Sequence, residues 1–266
     1  MRGNVDWEIV KAVARRIGEI APDFLEENVL IGGSAAWYYR RLLEISNDAD
    51  FPPISYTEEE ISLWLSKDFD VLGTRRENIA AHLGVLLSGD PPVARINGIW
   101  VDSPNEGITI TRANTHASSL RITVADGTEL RIASPILLYR EKLTLANMQN
   151  PRPQDALHMH TLERASRLVI CQLAEALELT KLGCRELFAF LKEAQEMAPD
   201  LLAHQALLIR LKKQMPRFSE HKIGNALWHL LQKQIFPLIE ERLVGLGQAN
   251  GLDEAEDKSS AIKLKF

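Results

Sequence analysis

The segment WEIVKAVARRIGEI places Ile9, Val10, Val13, Ile17 and Ile20 at three-to-four spacing, which predicts an amphipathic helix over residues 7–20. Next, ENVLIGGSAAWYYRRLLEI opens with a short apolar run, passes a glycine pair and continues as a second helical pattern, with Ser34 as the expected N-cap. Residues 46–55 turn to Asn, Asp and Pro and predict a loop, after which TEEEISLWL predicts a helix opened by a threonine and three glutamates. SKDFDVLG has the pattern of a strand and RRENIAAHLGVLL that of the helix following it. Between Pro91 and Pro135 the segments ARINGIWVDS, ITITRA, LRITVA and ELRIAS are short and β-branched or alternating, and NEG and DG supply turns, so antiparallel strands are expected. From Pro135 onward nearly every segment is helical, from PILLYREKLTLAN through to HKIGNALWHLLQKQIFPLIEERL.

This order predicts an α+β fold over residues 1–150, a mixed and largely antiparallel sheet flanked by helices. An all-α domain over 151–248 and a polar, flexible tail over 249–266 follow. At 266 residues, 45% hydrophobic and 25% charged, the chain can bury a large core without disulfides. Charges run through the N-terminal segment and no run approaches the roughly twenty apolar residues of a membrane span. A cytoplasmic protein with no membrane partner is the expectation. Cys171 and Cys184 lack any zinc or CxxC spacing and are expected to be reduced core thiols. The net charge of −5 argues against coating nucleic acid by bulk electrostatics. It is uneven: residues 1–150 hold 15 basic and 21 acidic side chains, whereas 151–266 hold 16 and 15.

The acidic half contains DFD. On a strand Asp68 and Asp70 project from one face and Phe69 and Val71 from the other, so two carboxylates share a surface and repel each other unless solvated or bridged by a cation. Oxygen ligands suit Mg²⁺, which takes one or two protein carboxylates and completes its shell with water and nucleotide phosphates. A third carboxylate on a neighbouring strand would allow two metals. GGS at a helix start supplies the matching phosphate cradle, through close backbone approach and outward N–H groups.

LIGGSAAWYYRRLL followed by SKDFDVLG resembles the signature of the nucleotidyltransferases related to DNA polymerase β. Downstream, LRITVADGTELRIASPILLYREKL and RPQDALHMHTL are similar to a segment of their minimal, toxin-like and abortive-infection-type members, so the resemblance spans roughly residues 25–165. It implies a nucleotidyltransferase-like sheet, a triphosphate held by Gly32, Gly33 and Ser34, and Mg²⁺ or Mn²⁺ held by Asp68 and Asp70. Asp102 is the expected third acid, with Glu129 its rival, and Lys142 matches a lysine that would reach a phosphate. The implied activity is transfer of an NMP from an NTP, ATP among the choices, to a hydroxyl of a protein or RNA acceptor. A catalytically silent member binding a nucleotide or a partner is the alternative, and a toxin–antitoxin or phage-defence role is compatible with either. SNDADFPPISYTEEEISLWL lengthens the gap between Ser34 and Asp68 beyond one helix and turn, as a lid or recognition element, or as a spacer that keeps the two motifs apart.

Three further patterns have plain readings. His158 and His160 sit two apart on a helix and so face different ways, which excludes chelation of one ion. Pro153 separates Arg152 from His158 and argues against a nuclease-like pair on one helix. RLKKQMPRFSEHKIGNALWHLLQK, residues 210–233, reads as a solvated helical face, or as a grip on the phosphate backbone of an RNA acceptor.

Overall fold

A computed structural model of the protein describes residues 6–64, 68–90, 92–104, 106–107, 109–124, 127–176, 181–219 and 224–246. The chain divides into two compact units, Met1–Leu168 and Val169–Phe266.

Unit 1 is mixed α/β. Helix α1 (Trp7–Ile20) is capped by Asp6, whose carboxylate accepts from the amide of Ile9, and buries Val10, Val13, Ala14 and Ile17. After α2 (Pro22–Glu27) comes β1 (Val29–Leu30), then α3 (Gly32–Ser46) and α4 (Glu58–Trp64). Strand β2 (Asp68–Leu72) precedes the short α5 (Ile79–Leu83), which Gly84 ends in a left-handed turn at φ +64°. GVLL therefore does not continue the helix, and Leu86 stands 90% exposed. Strands β3 (Ala94–Ile96) and β4 (Ile99–Asp102), helix α6 (Arg112–Ala117), strands β5 (Leu120–Thr123) and β6 (Glu129–Ile132), and helix α7 (Pro135–Ala146) follow.

The six strands form one sheet in the order β3-β4-β2-β1-β6-β5. Its joins alternate from edge to edge: β3–β4 antiparallel, β4–β2 parallel, β2–β1 antiparallel, β1–β6 parallel and β6–β5 antiparallel. The sheet is thus more mixed than its hairpins suggest, because β1 enters between β2 and β6 from far back in the chain. The described residues of ITITRA, 109–113, form no strand. Thr109 and Ile110 donate their amides to Glu141 of α7, and Thr111 caps α6 through reciprocal bonds with Asn114. Local capping and a buried carboxylate outweigh β propensity there.

Helix α8 (Pro153–Ala176) carries the division between the two units, with Leu168 in the first and Val169 in the second. Its first turns belong to unit 1 because Asp155, Leu157, His158 and Thr161 are bound to residues of that unit. Unit 2 continues with α9 (Lys181–Met197), a 3-10 turn (Pro199–Leu202), α10 (Gln205–Ser219) and α11 (Asn225–Leu230). A π turn (Leu231–Ile235) leads into helical residues 236–246. Leu187, Leu191, Leu207, Leu211, Phe218, Leu231 and Ile239 are fully buried, as an all-α region requires. Cys171 and Cys184 are buried free thiols. The tail expected over 249–266 lies outside the described residues. Among those described, no helix is long and apolar enough to cross a membrane.

Candidate functional site

The DFD strand has the geometry its alternation predicts. Phe69 and Val71 are 1% and 2% exposed on one face of β2, and Asp68 and Asp70 share the other. In the parallel β2–β4 pair, Asp70 is in register with Asp102 and Asp68 with Trp100, so all three acids lie on one face of two adjacent strands. Glu129 is elsewhere: it opens β6, is exposed, and lies 3.7 Å from Arg121. Of the two candidate third acids, Asp102 is thus the one placed beside Asp70.

Despite the long insertion, the glycine motif meets the same strand. The Ile31 amide donates to the Asp70 carbonyl at 3.0 Å, and a Cβ on Gly32 would lie 2.7 Å from Asp70 Oδ2. Gly32 also has φ +66°, so conformation and close approach both require glycine. Helix α3 begins at Gly32 with Ile31 as its N-cap, and no side chain caps it. Its first amides are therefore left for solvent or a ligand. Ser34 is not the cap. It is fully buried, and its hydroxyl donates to the Asp68 carbonyl at 2.9 Å, tying helix to strand. That bond takes the proton the serine was expected to offer a phosphate.

Lys142, expected to reach a phosphate, is buried and paired. Its ammonium is buried 2.6 Å from Asp155 Oδ1, and Arg152 holds the same carboxylate through Nε–Oδ2 at 2.8 Å and Nη2–Oδ1 at 3.0 Å. Burial pushes the Lys142 pKa down against the pull of Asp155, whereas Asp155 ends below the usual carboxylate range because the bonds from Arg152 and Lys142 outweigh its own burial. Arg152 and Asp155 both stand in RPQDALHMHTL, whose resemblance implies a role for neither. The available signal was a helix-start Asp one turn past an Arg and thirteen residues past Lys142; the fold, not the spacing, brings the three together.

Electrostatically the centre of the group is Asp70. Burial, then the charges of Asp68 and Asp102, raise its pKa from 3.8 to about 7, and Lys142 and Arg152 offset only part of this. Asp102 is engaged by Arg76 Nε at 2.9 Å and by the Ser103 amide at 2.8 Å. With the side chains so placed, no group of three or more His, Cys, Asp or Glu among the described residues is arranged to hold a metal ion. The donor chemistry nevertheless suits a hard cation: carboxylate oxygens on one face, and a central acid whose ionisation its like-charged neighbours oppose.

The insertion is a packed wall. Phe51 and Trp64 are 1% and 0% exposed, Tyr56 donates to the Leu157 carbonyl at 3.2 Å and bonds Thr161 Oγ1 at 2.5 Å, and Arg164 donates to the Pro52 carbonyl at 2.9 Å. Its segment up to Trp64 spans from α3 to α8, and the motifs on either side converge. The Arg40 guanidinium carbon lies 4.7, 5.3 and 5.4 Å from the ring centres of Trp37, Tyr56 and Trp64. His158 packs on Trp64 at 4.4 Å, while His160 is exposed, so the two histidines part as expected.

The stretch 210–233 has less free charge than its composition suggests. Arg210 pairs with Glu175 through two 2.8 Å bonds, Lys212 with Glu240 at 2.6 Å, and Arg217 donates to Gln214 and to the Glu175 carbonyl. Residues 220–223 lie outside the described residues. Comparison of the chain with family models, curated proteins and solved structures gave no match.

Proposed function

We propose that unit 1 binds a nucleoside triphosphate and transfers its nucleoside monophosphate to an acceptor hydroxyl, using divalent cation chemistry. The observation that carries this reading is the in-register pairing of Asp70 with Asp102 on adjacent parallel strands, with Gly32 set against Asp70. Asp68, Asp70 and Asp102, the last released from Arg76, would hold Mg²⁺ or Mn²⁺, which supplies charge compensation for the phosphoryl oxygens and eases deprotonation of the attacking hydroxyl. The free amides at the start of α3 would cradle the triphosphate. Lys142 and Arg152 set a positive field beside Asp70, and their shared anchor Asp155 fixes where that field points. The acceptor oxygen bonds to the α-phosphorus as the bond to pyrophosphate breaks, and the hydroxyl proton passes to a carboxylate of the group. Positioning and electrostatics carry the rate.

A second reading, a nucleotide- or partner-binding module without catalysis, is favoured by the contact of Asp102 with Arg76. One experiment separates the two. The protein is incubated with Mg²⁺, each labelled NTP, and total RNA or protein as acceptor; label transfer that disappears in Asp70→Ala is the expected result. Binding of NTP without transfer supports the silent module, and absence of both ends the proposal.

A further inference from the structure

Away from the carboxylates, unit 1 holds a cavity of about 380 Å³ between α1, α2 and the β5–β6 hairpin. Clefts that take small molecules run from ~300 to 1,000 Å³, so this one has room for a compact ligand. Strand β1 stands between β6 and β2, and the cavity shares no residue with the face that carries Asp68, Asp70 and Asp102. Its floor is apolar: Leu25 and Leu130 are 6% and 3% exposed. Gly18 lets α1 come close to the hairpin there, because a Cβ on it would lie 3.2 Å from Thr128 Cγ2.

The rim is charged and open to solvent. Of the six described charged residues that line the cavity, Arg15, Glu19, Glu26, Arg121 and Glu129 are exposed and Arg131 alone is half-buried, so the innermost charge is positive. Arg121 and Arg131 are partners in the antiparallel β5–β6 register and project side by side from one face. Like charges directly opposite on paired strands repel each other. The glutamates relieve this only in part: Glu129 lies 3.7 Å from Arg121, and Glu19 is bound by Arg16 at 2.8 Å. No carboxylate among the described residues pairs with Arg131, whose Nη1 donates to Ser119 Oγ at 3.2 Å and whose Nε is buried without a hydrogen bond. An anion set between the two arginines would offset both charges, and guanidinium nitrogens match the oxygens of a carboxylate or phosphate.

We propose that this cavity binds a small organic anion, a compact apolar body bearing one carboxylate or phosphate. The body rests on Leu25 and Leu130, and the anionic group lies between Arg121 and Arg131. This site is distinct from the proposed nucleotide site and does not depend on it.

Titration calorimetry of the protein with 2-naphthoate, 2-naphthyl phosphate, 2-naphthamide and inorganic phosphate tests it. At least one of the two naphthyl anions is expected to bind about tenfold or more tightly than the uncharged amide of the same shape, and than inorganic phosphate, which lacks the apolar body. The tighter of the two anions tells carboxylate from phosphate. Arg131→Gln should weaken that anion about tenfold, and Thr128→Phe, which narrows the cavity without altering a charge, should weaken it by a similar factor. Failure of both naphthyl anions to bind, or binding no tighter than that of the amide, overturns the inference. Unchanged affinity in Thr128→Phe places the probe elsewhere and overturns it too. Should Arg131→Gln fail to fold, the charged and neutral probes on the wild type and Thr128→Phe still decide.

Discussion

Replacing Asp70 with Asn isolates what a buried, crowded carboxylate costs the fold. In the folded protein Asp70 keeps its proton up to about pH 7, whereas the unfolded chain releases it near 3.8. Between those values the native state binds the extra proton, so stability falls as pH rises through the window and is free of the penalty below it. At about 1.4 kcal/mol per pH unit the interval sets a ceiling of about 4 kcal/mol. The groups responsible face Asp70 from several elements: Asp68 on β2 and Asp102 on β4 raise it, while Lys142 on α7 and Arg152 just before α8 offset them. Local relaxation is expected to reduce the realised figure to about 2–3 kcal/mol. Asparagine fits the same space with no proton to lose. Urea unfolding between pH 5 and 8, followed by tryptophan fluorescence, is the assay, since Trp7, Trp37, Trp64 and Trp100 all lie in unit 1. The Asn variant should gain on the wild type from pH 5 to about 7 and hold that gain to pH 8. Adding Mg²⁺ at pH 8 should stabilise the wild type and leave the variant unmoved, because only a ligand of the native carboxylates shifts that balance. Parallel pH profiles for the two proteins would refute the claim that these acids are crowded at all.

Other perturbations probe the same framework. Gly32→Ala meets a left-handed backbone and Asp70 together; a loss of about 2 kcal/mol or more by thermal or urea unfolding is expected, and a neutral outcome contradicts the close approach. Asp155→Ala strands the buried Lys142 ammonium and should cost about 3 kcal/mol by urea unfolding, with Asp155→Asn recovering part of it. Glu141→Gln weakens the charged acceptor that gathers Thr109 and Ile110; a loss of about 1–2 kcal/mol and faster hydrogen exchange at those two amides are expected. Arg76→Ala removes a side chain 60% exposed, so stability should hold within about 0.5 kcal/mol while Mn²⁺ affinity, followed by electron paramagnetic resonance, rises.

Much of unit 1 was legible because local pattern and fold agreed. Alternation placed Asp68 and Asp70 on one face and Phe69 and Val71 on the other, and the three-to-four spacing of α1 marked its buried stripe. Where the reading failed, a partner distant in sequence had intervened. ITITRA has the β-branched content of a strand, yet Glu141 and the cap at Thr111 claim its backbone. Ser34 has the chemistry of an N-cap, yet the Asp68 carbonyl takes its proton. Nothing near Lys142 in the sequence marks it for the interior, yet Asp155, thirteen residues on, meets it there. Composition likewise suggested a basic stripe at 210–233, where Glu175 and Glu240 pair with Arg210 and Lys212.

By itself the sequence determined which residues could share a face, where helices could start and stop, and that two acids would stand side by side on β2. Those properties follow from the periods of helix and strand and the stereochemistry of each residue, which act over a few positions. Only the tertiary structure decided that Asp102 would align with Asp70, that Gly32 would reach them across a long insertion, and that Arg40 would lie among Trp37, Tyr56 and Trp64. Strand order and register are set by the burial of the whole sheet, a collective free energy that no short segment carries.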